Sequence, residues 1–186
     1  MSNFKMKGDY FGPKKSLMGG PIKVNYRVKI DSDGILVAMY HGAKKIGTAT
    51  AYPITRYALD PLDGLTTKCA NNVRELAELF PETCSKKWQE AEGPTNTHIR
   101  ILEHWRTAEL DPSYRSKGIG KALYLAVAAE WFDLVGPFIY IPHECAHGTT
   151  SADARRVWDS LARIFPSSGR AIAILKRPKL PSEITL

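Results

Sequence analysis

Residues 98 to 143, "HIRILEHWRTAELDPSYRSKGIGKALYLAVAAEWFDLVGPFIYIPH", decide how the rest of the chain is read. Residues 98 to 110 form a long strand-like run. A glycine turn follows, and residues 119 to 135 are then apolar nearly all round, as a helix covered on several sides should be. "PFIYIPH" is a further buried strand. The turn between strand and helix concentrates Arg115, Lys117, Gly118 and Gly120, with Lys121 one turn into the helix. The first N–H groups of a helix have no partners within it, and they sit at the positive end of its dipole. Glycines let an anion approach that backbone without a Cβ in the way, so the stretch predicts a phosphate or pyrophosphate cradle. The plainer alternative is a strand-to-helix turn whose glycines only cap. Neither the P-loop spacing nor the three-glycine dinucleotide fingerprint is present.

Working outward, "KVNYRVKI" (23–30), "ILVAMYHG" (35–42) and "IGTATAYPI" (46–54) read as three strands of an antiparallel meander, the first of them half-buried. In 65 to 80 the period changes, and Cys69, Val73, Leu76, Ala77 and Phe80 fall on one helical face; a second short helix is expected from Pro81 through Trp88. In "TTSADARRVWDSLARIF" (149–165) the stripe is Ala154, Val157, Trp158, Leu161, Ala162 and Phe165, with Thr150 or Ser151 as cap. "GRAIAILKR" is a last strand. The order predicts one α/β (α+β) domain over 22–175: a mixed, mostly antiparallel sheet with helices on it, a helical insertion at about 65–92 and a β-α-β core. Residues 1–21 read as an irregular basic arm and 176–186 as a tail.

The 186 residues carry a net charge of +7, of which residues 1 to 23 hold +4 and residues 170 to 186 hold +3. The basicity thus belongs to the ends, which suit either solubility or a nucleic acid or acidic partner. Three cysteines without paired spacing argue against a disulfide framework and for a reducing cytoplasm. No apolar run is long enough for a membrane span or a signal peptide. "HECAH" (143–147) brings His143, Cys145 and His147 together, but a metal site there lacks a recognisable partner pair. The loop reads better as lining for a substrate pocket.

"LDPSYRSKGIGKAL" (110–123) resembles the acyl-CoA-binding motif of the GNAT superfamily of N-acetyltransferases, with Leu110, Pro112, Tyr114, Arg115, Gly118 and Gly120 at the matching positions. The resemblance is strongest over 98–165 and extends over 22–175. It implies a GNAT-like fold with helices on both sheet faces, and acetyl transfer from acetyl-CoA to an amine acceptor. By position, it implies that Arg115 and the backbone amides of Ser116, Lys117, Gly118, Ile119, Gly120 and Lys121 meet the pyrophosphate. It further implies that the backbone at Leu110 pairs with the pantetheine arm and that the Ala108 amide polarises the thioester carbonyl. Ser151 stands where the family's later helix carries an asparagine, Ala154 matches its alanine, and Trp158 replaces its tyrosine, the usual proton donor to the departing thiolate. An indole cannot serve as that acid.

An attacking amine must lose a proton to a base near neutral pKa. In the family that base often lies at even offsets before the last apolar residue of the strand. Counting back from Leu110 gives Ala108, Arg106, His104 and Leu102, of which His104 alone has a suitable resting pKa. Glu103 follows as second candidate, since a bulge would reverse the parity. A GNAT-fold protein that binds without catalysing, and an acyltransferase that modifies nucleic acid, are the alternatives.

Overall fold

The computed structural model describes residues 15–16, 24–31, 34–54, 64–80, 100–108, 110–115, 117–146 and 148–181. The predicted second helix after Pro81, most of the N-terminal arm, Glu109, Ser116 and the end of the tail lie outside them. Within the arm, Lys15–Ser16 (β1) forms a short strand against the meander, where an irregular segment was expected.

The meander is Val24–Asp31 (β2), Gly34–His41 (β3) and Lys44–Pro53 (β4), paired antiparallel in succession. Helix α1 covers Thr67–Ala77, capped by the Thr66 hydroxyl, which accepts from the Cys69 N–H. Then come Ile101–Ala108 (β5), Ile119–Val135 (α2), Phe138–Pro142 (β6), Ala152–Leu161 (α3), Ser167–Ser168 (β7) and Ala171–Ile174 (β8). The eight strands lie in one open sheet in the order β1-β2-β3-β4-β5-β6-β8-β7. Only β5 and β6 run parallel, as a strand-helix-strand crossover requires.

Alternation along the strands sorts side chains to two faces. Leu102, Phe138, Tyr140, Ile172 and Ile174 join α2 and α3 in the larger core, with Val24, Val37, Met39 and Ile46 of the meander. Ile101, Ile139, Ile141, Ala171 and Ala173 face α1 in a second core. Helices therefore cover both faces of the β5–β6–β8 half. With Ala122 to Trp131 all buried, α2 needs that double cover from sheet and α3. Gly47 gives it room, since a Cβ there would meet Leu123 Cδ1 at 3.2 Å and Leu110 Cδ1 at 3.1 Å.

The second core contains a disulfide the sequence reading argued against. Cys69 in α1 and Cys145 after β6 are bonded, with Cα atoms 5.4 Å apart and a sequence separation of 76. Spacing rules detect local pairs; this one exists only because α1 packs beside the end of β6. No helix among the described residues is long and apolar enough to cross a membrane.

Candidate functional site

The ladder between β5 and β6 stops at His104↔Pro142, whereas β5 continues against β4 as far as Ala108↔Thr48. Proline ends the pairing because it has no N–H to donate, and a 3-10 turn, His143–Ala146, leads the chain away. The two parallel strands part at their carboxyl ends, the usual place for a ligand in a sheet of this kind. Beyond the fork, β5 runs towards the N-terminus of α2.

That N-terminus is built on a glycine. Gly118 is the N-cap with φ 78°, a left-handed conformation that favours glycine, and it brings no side-chain cap bond. A Cβ at Gly118 would meet nothing within 4 Å, so the backbone faces open space. Arg115 is exposed, while Lys117 and Lys121 are half-buried beside the turn. Asp111 shapes the approach: it accepts from the Ser113 N–H, pairs with Lys44 at 2.5 Å, and donates its own N–H to the Ile46 carbonyl. Those partners hold the Asp111 carboxyl down at about 2, with Lys44 the largest cause. The Tyr114 hydroxyl bonds His41 Nδ1 at 2.7 Å, so the turn is anchored to both strands of the β3–β4 hairpin. Gly120 has a different part: its missing Cβ would lie 3.4 Å from Val157 Cγ2, so it faces α3. Ile119 is buried in the core. Ser151 caps α3, its hydroxyl accepting from the Ala154 N–H at 3.2 Å.

At the fork, two neighbours on β5 point to opposite faces. His104 enters the larger core, 3 % exposed, its ring stacked on Tyr124 at 3.8 Å. Its Nδ1 bonds the Tyr140 hydroxyl at 2.5 Å, and Trp158 closes the cluster edge-on. Burial pushes the imidazole down to about 3, with a smaller push from the charge of His143. His104 is therefore neutral at ordinary pH and turned away from the open fork. Trp158, 1 % exposed, is sealed in the same cluster.

Glu103 faces the other way and meets His143 from the turn after β6, Oε1 to Nδ1 at 2.5 Å. Burial raises the Glu103 carboxyl above its ordinary value, and the bond to His143 pulls it part of the way back. The His143 ring is held between Trp105, tilted against it at 4.4 Å, and Gly148, where a Cβ would strike Cδ2 at 2.1 Å. Trp105 is 49 % exposed and also meets Tyr52 edge-on. A carboxylate and an imidazole joined by a hydrogen bond beside an exposed indole can take a proton from a bound group and return it.

The register of β5 carries the irregularity under which Glu103 was the second candidate. The β4–β5 register shifts so that Thr50 opposes Arg106 while Ala51 opposes His104, leaving Trp105 as an extra residue. Thr48, Thr50 and Tyr52 share one face of β4, and their partners are Ala108, Arg106 and Glu103. Glu103 thus pairs with that face of β4, while Leu110 packs in the larger core that also takes His104. His143 and Gly148 belong to the site through tertiary contact; "HECAH" beside a strand end was the only sequence signal for the first, and nothing signalled the second. No His, Cys, Asp or Glu cluster among the described residues is arranged to hold a metal ion.

Comparison with known proteins adds no relative: no family model, no curated protein and no solved structure matches the chain.

Proposed function

We propose that the protein is a GNAT-like N-acyltransferase that moves an acetyl group from acetyl-CoA to an amine. The observation that carries this reading is the fork itself: a parallel strand pair parting at His104 and Pro142, an uncapped helix N-terminus beyond it, and a carboxylate–imidazole pair at the branch point. The residues present fit the cofactor. The open backbone at Gly118, with Arg115, Lys117 and Lys121 around it, suits a pyrophosphate, and the edge of β5 past the fork suits an extended arm. The thioester supplies an activated acyl group.

Glu103 and His143 act as the base. As the amine nitrogen bonds to the acyl carbon and the carbon–sulfur bond breaks, the amine's proton passes to the pair, and the sulfur leaves as thiolate. Trp105 forms a wall of the acceptor site, where its face also suits a cationic amine before deprotonation. In this reading His104 supports the strand from the core. The cytoplasmic setting inferred from cysteine usage stays within the proposal only if the disulfide is reversible there.

One observation favours a second reading, a binding protein without turnover: Trp158, in place of the expected acid, is fully enclosed. A nucleic-acid acceptor is less well supported, because two cations of the basic C-terminal stretch are engaged within the fold. Arg170 pairs with Glu144 and Asp159, and Arg177 with Asp133.

Titration calorimetry with acetyl-CoA, followed by a panel of amine acceptors with thiol release as readout, tests these readings. Binding that survives in Gly118→Ala but is lost in Gly118→Glu supports the cradle, since both carry the same backbone strain and only one adds a charge. Binding with turnover supports the enzyme, and binding without turnover on any acceptor supports the second reading. No binding at millimolar acetyl-CoA overturns both.

A further inference from the structure

A second cleft lies away from the fork, between the start of α1, the turn after β6 and the β7–β8 turn. Its volume is about 480 Å³, within the range of small-molecule sites, and both disulfide cysteines line it together with Lys68, Glu144 and Arg170. Cys145 sits in the 3-10 turn that begins with His143, two residues from the Glu103 partner. The turn is held on one side by the Glu144–Arg170 ion pair. On the other side it is held by the disulfide and by the Thr66 N–H, which donates to the Cys145 carbonyl at 2.8 Å. The bond therefore ties α1 to the loop that supplies the imidazole.

We propose that Cys69–Cys145 is a thiol–disulfide exchange site for a low-molecular-weight thiol entering this cleft, and that exchange frees the turn carrying His143. The thiolate of the small molecule attacks Cys145 Sγ, forming a mixed disulfide and breaking the bond to Cys69. Cys69 lies in the first turn of α1, whose N-terminus stabilises a departing thiolate, so it is the better leaving group. A second small thiol then attacks the mixed disulfide and releases Cys145, which takes a proton as Cys69 does. The protein disulfide gains two electrons, and two small thiols become one small disulfide. The inference is independent of acyl transfer, and its readouts need no substrate.

The test equilibrates the folded, full-length protein with glutathione buffers of varied reduced-to-oxidised ratio, traps free thiols by alkylation and counts them by mass. One alkylated cysteine, Cys84, is expected on the oxidised side and all three on the reduced side. Lys68→Glu is expected to slow reduction by glutathione, whose attacking thiolate is a net anion, about threefold at low salt, and to slow reduction by cysteamine, whose thiolate form is net neutral, by less. The ring signals of His143 in NMR, assigned through His143→Gln, are expected to shift on reduction; Cys69→Ser supplies the same comparison without a reductant. Three alkylated cysteines without any thiol, or a bond that 10 mM glutathione leaves intact while a protein dithiol reduces it, overturns the exchange site. His143 signals that are identical in the two redox states overturn the link to the turn.

Discussion

Glu103 and His104 are adjacent in the chain, both buried and both ionisable, yet the sheet sends them to different fates. His104 is packed among Tyr124, Tyr140 and Trp158, where a charge would have no water, and its imidazole is kept neutral. Glu103 is buried against a partner that can share a proton, at the place where two strands separate. What a side chain faces matters more here than its resting pKa: the histidine with the better free pKa became core, and the carboxylate became half of a hydrogen-bonded pair with His143.

The sharpest way to break this contrast is to remove proton transfer from one side. Glu103→Gln keeps the shape and is expected to lower amine acetylation by roughly 10²–10⁴-fold, with little change in melting temperature. Gly148→Ala comes next. Its Cβ would lie 2.1 Å from His143 Cδ2, so the ring must leave its place. We expect about a 10²-fold loss of rate in a folded protein, since misplacement of a catalytic group by an ångström has that order of effect. If Gly148→Ala retains full activity, His143 is not the partner that matters.

On the other side, His104→Leu is expected to cost about 1–3 kcal/mol of stability by leaving the buried Tyr140 hydroxyl unpaired, measured by denaturant unfolding. The rate per folded molecule should stay unchanged; a fall comparable with that of Glu103→Gln would return the base to His104. The same pair predicts opposite pH slopes. His104 has its pKa lowered from 6.5 to about 3, so its contribution to stability is complete above pH 6.5 and is lost as pH falls towards 3. The slope approaches about 1.4 kcal/mol per pH unit within that window and should vanish in His104→Leu. Glu103 has its pKa raised above 4.5, so its contribution is present below that pH and declines as pH rises through the folded value. The smallest effect is expected far from the fork. Arg177→Ala removes an exposed pair with Asp133 and should change stability by less than about 1 kcal/mol.

Much of the architecture was legible because its signals are local. The all-round apolar run at 119–135 became α2 with those same limits, and Gly118 became its left-handed N-cap. Three alternating segments became the meander, and Ser151 became the cap of α3. Each depends on residues within one or two turns of each other, where period and backbone preference act directly. The strand-to-helix turn is of the same kind, since helix start, glycines and cations are all contiguous.

The sequence left open which face of β5 each ionisable residue takes, because one extra residue in a strand reverses every side chain beyond it. Trp105 is that residue, and its effect is fixed by pairing with β4, more than fifty positions earlier in the chain. The Cys69–Cys145 bond and the Glu103–His143 pair are long-range in the same sense: each joins residues that share no pattern and meet only when α1, β5 and the end of β6 pack together. Sequence by itself determined the elements, their order and the site of the helix N-terminus, through short-range sterics and hydrophobic period. Tertiary structure alone decided which partner each buried ionisable group meets, because burial and proximity are properties of the packed sheet and not of any segment within it.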